Sequence, residues 1–295
     1  MGIEEVRTAG ELAGRLTGQL RRIMPPGARR ERLVDALDST FAGDRAPADA
    51  AVCKAIEAVA RQHSRHLELH LEPSGIRVGG SSDDEMPGWP PPDPVAIAHR
   101  SGGVGAVRHL DHGDCLITLN SLEALGSARP YLDAAAVLAR AADRVILDLR
   151  ANHGGDPATA AAVAGWLLGE KSQQLSVVLY PGYRRQWWTP ELACGTAFAG
   201  EVTVLISRHT YSTAEALAYH LAVRNRATLI GETTRGAADH VIPVRLGKEV
   251  LALLPEAEVR DAETGSNWEG VGVVPHIPYP AENALHRALT DLQPA

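Results

Sequence analysis

Residues 210–215 read Thr-Tyr-Ser-Thr-Ala-Glu and stand directly before an apolar run, Ala216, Leu217, Tyr219 and Leu221. A serine followed three residues later by a glutamate is the capping-box arrangement of a helix start, and a cap is one reading of Ser212. The other reading is chemical. A serine at a helix mouth, with the backbone N–H of Thr213 directed outward beside it, is placed to act as a nucleophile next to an oxyanion donor. A second donor is available at Gly154-Gly155, because glycine lets a backbone N–H approach substrate closely. Each such donor stabilises a developing oxyanion by about 3 kcal/mol. A glycine pair that only supplies a turn of positive φ is the competing reading.

The elements that would position these groups are legible around them. Arg144-Val-Ile-Leu-Asp-Leu149 is a short continuous apolar run of the kind a fully buried strand shows, and it leads into Arg150-Ala-Asn-His-Gly-Gly155 and an alanine-rich helix predicted over 158–168. The same grammar repeats with Val202–Ser207 as strand and the Ser212 helix behind it. Two parallel strands ending in these loops place both along one edge of a sheet, where α/β folds keep their active sites. Upstream, apolar spacing predicts helices over 9–23 and 30–41, broken by Pro25-Pro26-Gly27, and a third over 47–61 with Pro47 in its first turn. Residues 72–100 read as a polar, proline-rich connection. The expected organisation is a small helical cap domain over 1–72, a linker over 73–104 and an α/β core over 105–295.

Four ordered segments carry a family resemblance: Val145-Ile-Leu-Asp-Leu-Arg-Ala-Asn-His-Gly-Gly155, Thr210–Glu215, Leu229-Ile-Gly-Glu-Thr-Thr-Arg-Gly236 and Thr264-Gly-Ser-Asn-Trp-Glu-Gly-Val-Gly-Val-Val-Pro275. Together they resemble the tail-specific (carboxyl-terminal processing) serine peptidases, and the last is most similar to the branch of interphotoreceptor retinoid-binding protein and the tricorn core. The resemblance spans residues 105–280, and 1–72 more loosely. It implies a ClpP/crotonase-like α/β core with a helical cap, Ser212 as nucleophile and the N–H groups of Gly155 and Thr213 as oxyanion hole. No room is left for the PDZ module that many members insert.

The base departs from the pattern. Where classical members carry a lysine after the Gly-Glu-x-Thr segment, this chain has Ala237, and the nearest downstream lysine is Lys248. Where the tricorn branch has a histidine on an early core strand it has Thr118, although Glu269 matches that branch's glutamate. The resemblance ranks His66, in Ser64-Arg-His-Leu67, first as general base, with His240, His153 and His209 behind it. The twelve histidines include no pair at a metal-binding spacing. His66 and His70 are expected on one strand face but ~13 Å apart, so no metal or other cofactor is expected.

Substrate selection is expected from the insertion Tyr180–Phe198, where Trp187 and Trp188 can line an apolar pocket and Arg184 and Arg185 can meet a carboxylate. An aromatic flap over the core is the alternative. A net charge of −7 without a basic patch argues against a nucleic-acid partner. Three dispersed cysteines, Cys53, Cys115 and Cys194, argue for a reducing compartment. The start Met1-Gly-Ile-Glu-Glu-Val lacks the basic and apolar regions of a signal peptide, and no segment reads as a membrane span, so a cytoplasmic protein is expected. Relatives often form homo-oligomers. Three function classes stay open: a serine hydrolase acting on short peptides, an enzyme using the oxyanion hole for cyclisation or carbon–carbon chemistry on a small molecule, and a non-catalytic carrier of an apolar ligand. Loss of the usual lysine and strand histidine weakens the first; retention of Ser212, both donors and Glu269 weakens the last.

Overall fold

A computed structural model describes residues 5–72 and 92–290. Most of the proline-rich connection, 73–91, lies outside the described residues. In chain order the elements begin with α1 (Ala9–Ile23), α2 (Ala28–Phe41), α3 (Ala50–Ala60), β1 (Glu68–Leu71), α4 (Pro94–His99), β2 (Val104–His109) and β3 (Asp114–Leu119). They continue with α5 (Leu125–Ala139), β4 (Arg144–Asp148), α6 (Pro157–Leu168), β5 (Gln174–Tyr180), β6 (Tyr183–Trp188) and β7 (Glu201–Ile206). The last are α7 (Thr213–Val223), β8 (Thr228–Gly231), β9 (His240–Arg245), β10 (Val250–Asp261), β11 (Ile277–Pro278) and α8 (Ala284–Thr290). The chain's described residues divide into two compact units, one of 5–72, 178–185 and 239–259, the other of 92–177, 186–238 and 260–290.

In the first unit the amino-terminal helices do not form a core by themselves. Leu12, Leu16 and Leu20 of α1, Leu33 and Leu37 of α2 and Ile56 of α3 share one apolar cluster with Val244 of β9 and Ala252 and Leu254 of β10. Strands β1 and β9 each pair antiparallel with β10. The unit expected from 1–72 is therefore completed by residues far along the chain, which supply the flat surface three amphipathic helices need. Helix α1 starts with a reciprocal capping box between Thr8 and Glu11. The third helix starts later than its sequence suggests: Asp49 accepts from the N–H groups of Ala51 and Val52, so Pro47 stands before the helix and instead bridges to Thr8. His66 precedes β1, and only His70 lies on that strand.

In the second unit a six-stranded sheet has the order β11-β8-β7-β4-β3-β2. All neighbours are parallel except β2 with β3. Strand β4 is buried at every residue, which explains its unbroken apolar run. Leu116, Ile146, Leu205 and Ile230 meet Ala284 and Ala288 of α8 on one face. At the amino ends of β3 and β4 the buried Arg144 makes a two-pronged bond to Asp114, at 2.9 and 2.5 Å, and donates to the Ala288 carbonyl at 3.1 Å, fastening α8 to the sheet. Among the described residues, no helix is long and apolar enough to cross a membrane.

Candidate active site

Strands β4 and β7 are parallel neighbours, with Asp148 opposite Leu205. The loops that follow them, 149–156 and 207–212, leave the same edge of the sheet and bond to one another. Ser207 Oγ donates to the Arg150 carbonyl at 2.6 Å, Thr210 Oγ1 to the Leu149 carbonyl at 2.9 Å, and the Tyr211 N–H to the Asn152 carbonyl at 3.1 Å. Thr213 Oγ1 donates to the Gly155 carbonyl at 2.9 Å. Ser212 itself has φ 54° and ψ −125°, a left-handed conformation that a non-glycine residue holds only when its surroundings impose it. An ordinary cap is extended, so Ser212 is more than a helix start.

Gly154 is fitted against that serine. A Cβ at Gly154 would lie 2.9 Å from the Thr213 nitrogen and 3.0 Å from Ser212 Cβ. A Cβ at Gly155, whose φ is +136°, would lie 2.0 Å from the Leu122 carbonyl oxygen. Leu122 pairs with both neighbours of Gly155, donating to the Gly154 carbonyl at 2.9 Å and accepting from the Asp156 N–H at 2.7 Å. Among the described residues, neither the Gly155 N–H nor the Thr213 N–H has a protein acceptor.

Two supporting residues do more than the sequence showed: Asn152 was not singled out, and Glu215 was read only as the closing residue of a capping box. Asn152 is wholly buried; its Nδ2 donates to the Leu119 carbonyl at 3.0 Å and its Oδ1 accepts the Gly154 N–H at 2.8 Å. Thus one side chain ties the end of β3 to the glycine turn. Glu215, also wholly buried, accepts the Ser212 N–H at 2.8 Å, Thr234 Oγ1 at 2.5 Å, and the N–H groups of Gly236 and Ala237 at 2.6 and 3.0 Å. Burial raises its carboxyl pKa, and these donors only partly offset that.

The segment where relatives carry lysine is therefore held from the serine side by Glu215. It is held from the other side by residues 268–270. Glu269 Oε2 accepts the Ala238 N–H at 2.7 Å, Trp268 Nε1 donates to the Ala237 carbonyl at 3.3 Å, and the Gly270 N–H donates to the Gly236 carbonyl at 2.8 Å. Behind Trp268, α7 carries a buried knot in which His220 Nδ1 lies 2.8 Å and Arg224 Nη1 2.9 Å from Asp261 Oδ2.

His66 belongs to the first unit and is buried, with Nδ1 2.5 Å from the Asp239 carbonyl oxygen. A carbonyl only accepts, so Nδ1 carries the proton and Nε2 is the basic nitrogen. His240 is paired with Glu256 at 2.9 Å. His153 is exposed within the glycine turn, and Thr118 pairs across the sheet with Asp148. Trp187 and Trp188 occupy successive positions of β6, so their side chains point to opposite faces and do not share one pocket wall. Trp188 Nε1 donates to Gln186 Oε1 at 3.1 Å. Among the described residues no three His, Cys, Asp or Glu side chains group as metal ligands.

A parallel sheet with a positive-φ serine at a strand-to-helix turn is a layout shared with serine hydrolases. The chain belongs to peptidase family S41, whose family model matches residues 115–279. Its fold is similar to that of a candidate peptidase from Parabacteroides merdae, with a TM-score of 0.66, 13% identity and 98% of each chain covered. A candidate S41 protease from Bacteroides fragilis gives a TM-score of 0.52 at 21% identity, over 62% of this chain and 52% of that one. The photosystem II D1 C-terminal processing protease gives 0.48 at 20% identity, over 61% of this chain and 46% of that one. The chain thus spans about half the length of the latter two relatives.

Proposed function

We propose that the chain is a serine peptidase acting on short peptides, with Ser212 as the nucleophile. The observation that carries this reading is the left-handed backbone of Ser212, φ 54°, packed against a glycine turn that admits no side chain at Gly154. Strain of this kind costs about 1–3 kcal/mol and persists where a side chain must be presented in one direction.

In the proposed reaction Ser212 Oγ attacks the scissile carbonyl carbon, and the carbonyl oxygen takes up the electron pair facing the N–H groups of Gly155 and Thr213. A general base takes the serine proton and returns it to the departing amine, and the family resemblance puts His66 forward for that role. Support for that role comes from its Nδ1–H bond to the Asp239 carbonyl, which keeps Nε2 as the acceptor. Water then attacks the acyl-enzyme by the same route in reverse. Glu269 acts as a positioning residue, holding the Ala238 N–H and with it the loop that faces Glu215.

A mixture of short synthetic peptides read by mass spectrometry tests the proposal. Wild-type protein is expected to cleave a subset, Ser212→Ala none, and His66→Ala at a rate lower by about 10²-fold or more. An intact mixture after incubation with folded wild-type protein would overturn it, and an unchanged rate in His66→Ala would remove the histidine from the mechanism.

A further inference from the structure

The second unit contains a cavity of about 220 Å³ roofed by α5 and α6 and floored by β3 and β4. Its origin lies in the sequence. Ala135 and Ala136 of α5 and Ala162 of α6 line the cavity, and these small side chains leave the space over Ile117 and Leu147 unfilled. It opens to solvent on the α5 side, where Asp133, Val137 and Arg140 are exposed. An apolar cavity of ~150 Å³ already accepts benzene, so the space suits a small molecule and is too small for a helix or strand.

At the rim the chemistry changes. Arg129, Arg140 and Asp133 line it. Arg129 and Asp133 are 3.9 Å apart and largely exposed, a loose pair, while Arg140 donates to the Gly195 carbonyl at 3.3 Å. Two guanidinium groups against one carboxylate leave a positive surplus at the mouth of an apolar chamber. We infer that this cavity is a binding site for a small amphipathic molecule, an apolar chain ending in a carboxylate. The chain lies over Ile117, Leu147 and Trp166, and the carboxylate meets Arg129 and Arg140. The inference stands apart from the peptidase reading, because none of these residues belongs to the serine site.

Isothermal titration of the full chain with octanoate, decanoate and decanol tests it. Saturable one-to-one binding of decanoate is expected, tighter than octanoate by on the order of tenfold, as two added buried methylenes require. Ala136→Trp, which fills the chamber, is expected to weaken decanoate at least tenfold. The double substitution Arg129→Gln with Arg140→Gln is expected to weaken decanoate while leaving decanol unchanged. Circular dichroism checks each variant for folding, and Thr196→Trp at the rim replaces Ala136→Trp if the latter is unfolded. No saturable binding, equal affinity in the filled variant, or protection by decanoate of Ser212 from an active-site label would each overturn the assignment.

Discussion

Glu215 Oε2 accepts the backbone N–H of Ser212 at 2.8 Å from within the same helical turn, while the other oxygen holds Thr234 and Gly236. One buried carboxylate thereby joins the serine turn to the loop that follows β8. Glu215→Gln replaces an acceptor oxygen with an amide that donates, so at least one of these N–H or O–H groups faces another donor. Urea unfolding is expected to show a loss of about 2–3 kcal/mol, together with slower labelling of Ser212. Wild-type stability in the variant would mean that the carboxylate does not carry the loop.

Gly154 gives a sharper steric test. A methyl group there meets the Thr213 nitrogen at 2.9 Å and the Tyr211 carbonyl at 2.8 Å, at a φ of +89°. Both obstacles are backbone and have no rotamer to change. Gly154→Ala is expected to cost about 1–3 kcal/mol in thermal unfolding and to reduce reactivity at Ser212 by tenfold or more, even at temperatures where the variant is folded. Equal reactivity would separate the glycine turn from the chemistry.

Acid stability follows from Asp261. Burial alone would raise its pKa, yet the bonds from His220 and Arg224 outweigh burial and hold the carboxyl well below its ordinary value of 3.8. The unfolded state then binds more protons than the folded state below that value, so the contribution is present above it and fades as the pH falls further. His220 acts in the same direction: burial lowers its pKa from an ordinary 6.5, and protonating it on acidification costs stability. Asp261→Asn is expected to lose about 3 kcal/mol at neutral pH, because the buried Arg224 keeps only the half-exposed Glu263, 3.4 Å away, as counter-charge, and to flatten the decline below pH 3.8. Denaturant titrations at a series of pH values measure both effects.

The tryptophan pair should behave unequally. Trp188 is 48% exposed and Trp187 is the more covered of the two. Trp188→Ala is expected to change stability by less than about 0.5 kcal/mol and Trp187→Ala by about 1–2 kcal/mol. If the insertion selects substrate, only the residue whose face the peptide contacts should raise KM. Equal effects of both single substitutions would restore the shared pocket that their adjacency suggests.

The parts of this architecture that were legible in the sequence are those written in contiguous residues. The apolar run of β4, the Gly154-Gly155 turn and the Ser212–Glu215 spacing sit within a few positions of one another, and burial on both sheet faces makes β4 and β7 stand out. The starts of α1 and α2 came within two residues, whereas α3 was read as beginning at Pro47 because Pro is welcome in a first turn; Asp49 captures that role with two side-chain bonds. What stayed hidden depends on distant partners. Asn152 works by reaching Leu119, Glu215 by gathering residues 234–237, and the tautomer of His66 is set by a carbonyl 173 residues away. The segment Arg150-Ala-Asn-His-Gly-Gly155 did hold a signal for Asn152, since an asparagine two residues before a glycine can accept that glycine's N–H.

Labelling the purified protein with a fluorophosphonate probe and measuring its intact mass tests the central claim most directly. One adduct per chain, absent in Ser212→Ala and strongly slowed in His66→Ala, is the predicted result. A folded wild-type protein that takes up no label, or one whose label survives Ser212→Ala, would contradict the assignment of Ser212 as an activated nucleophile.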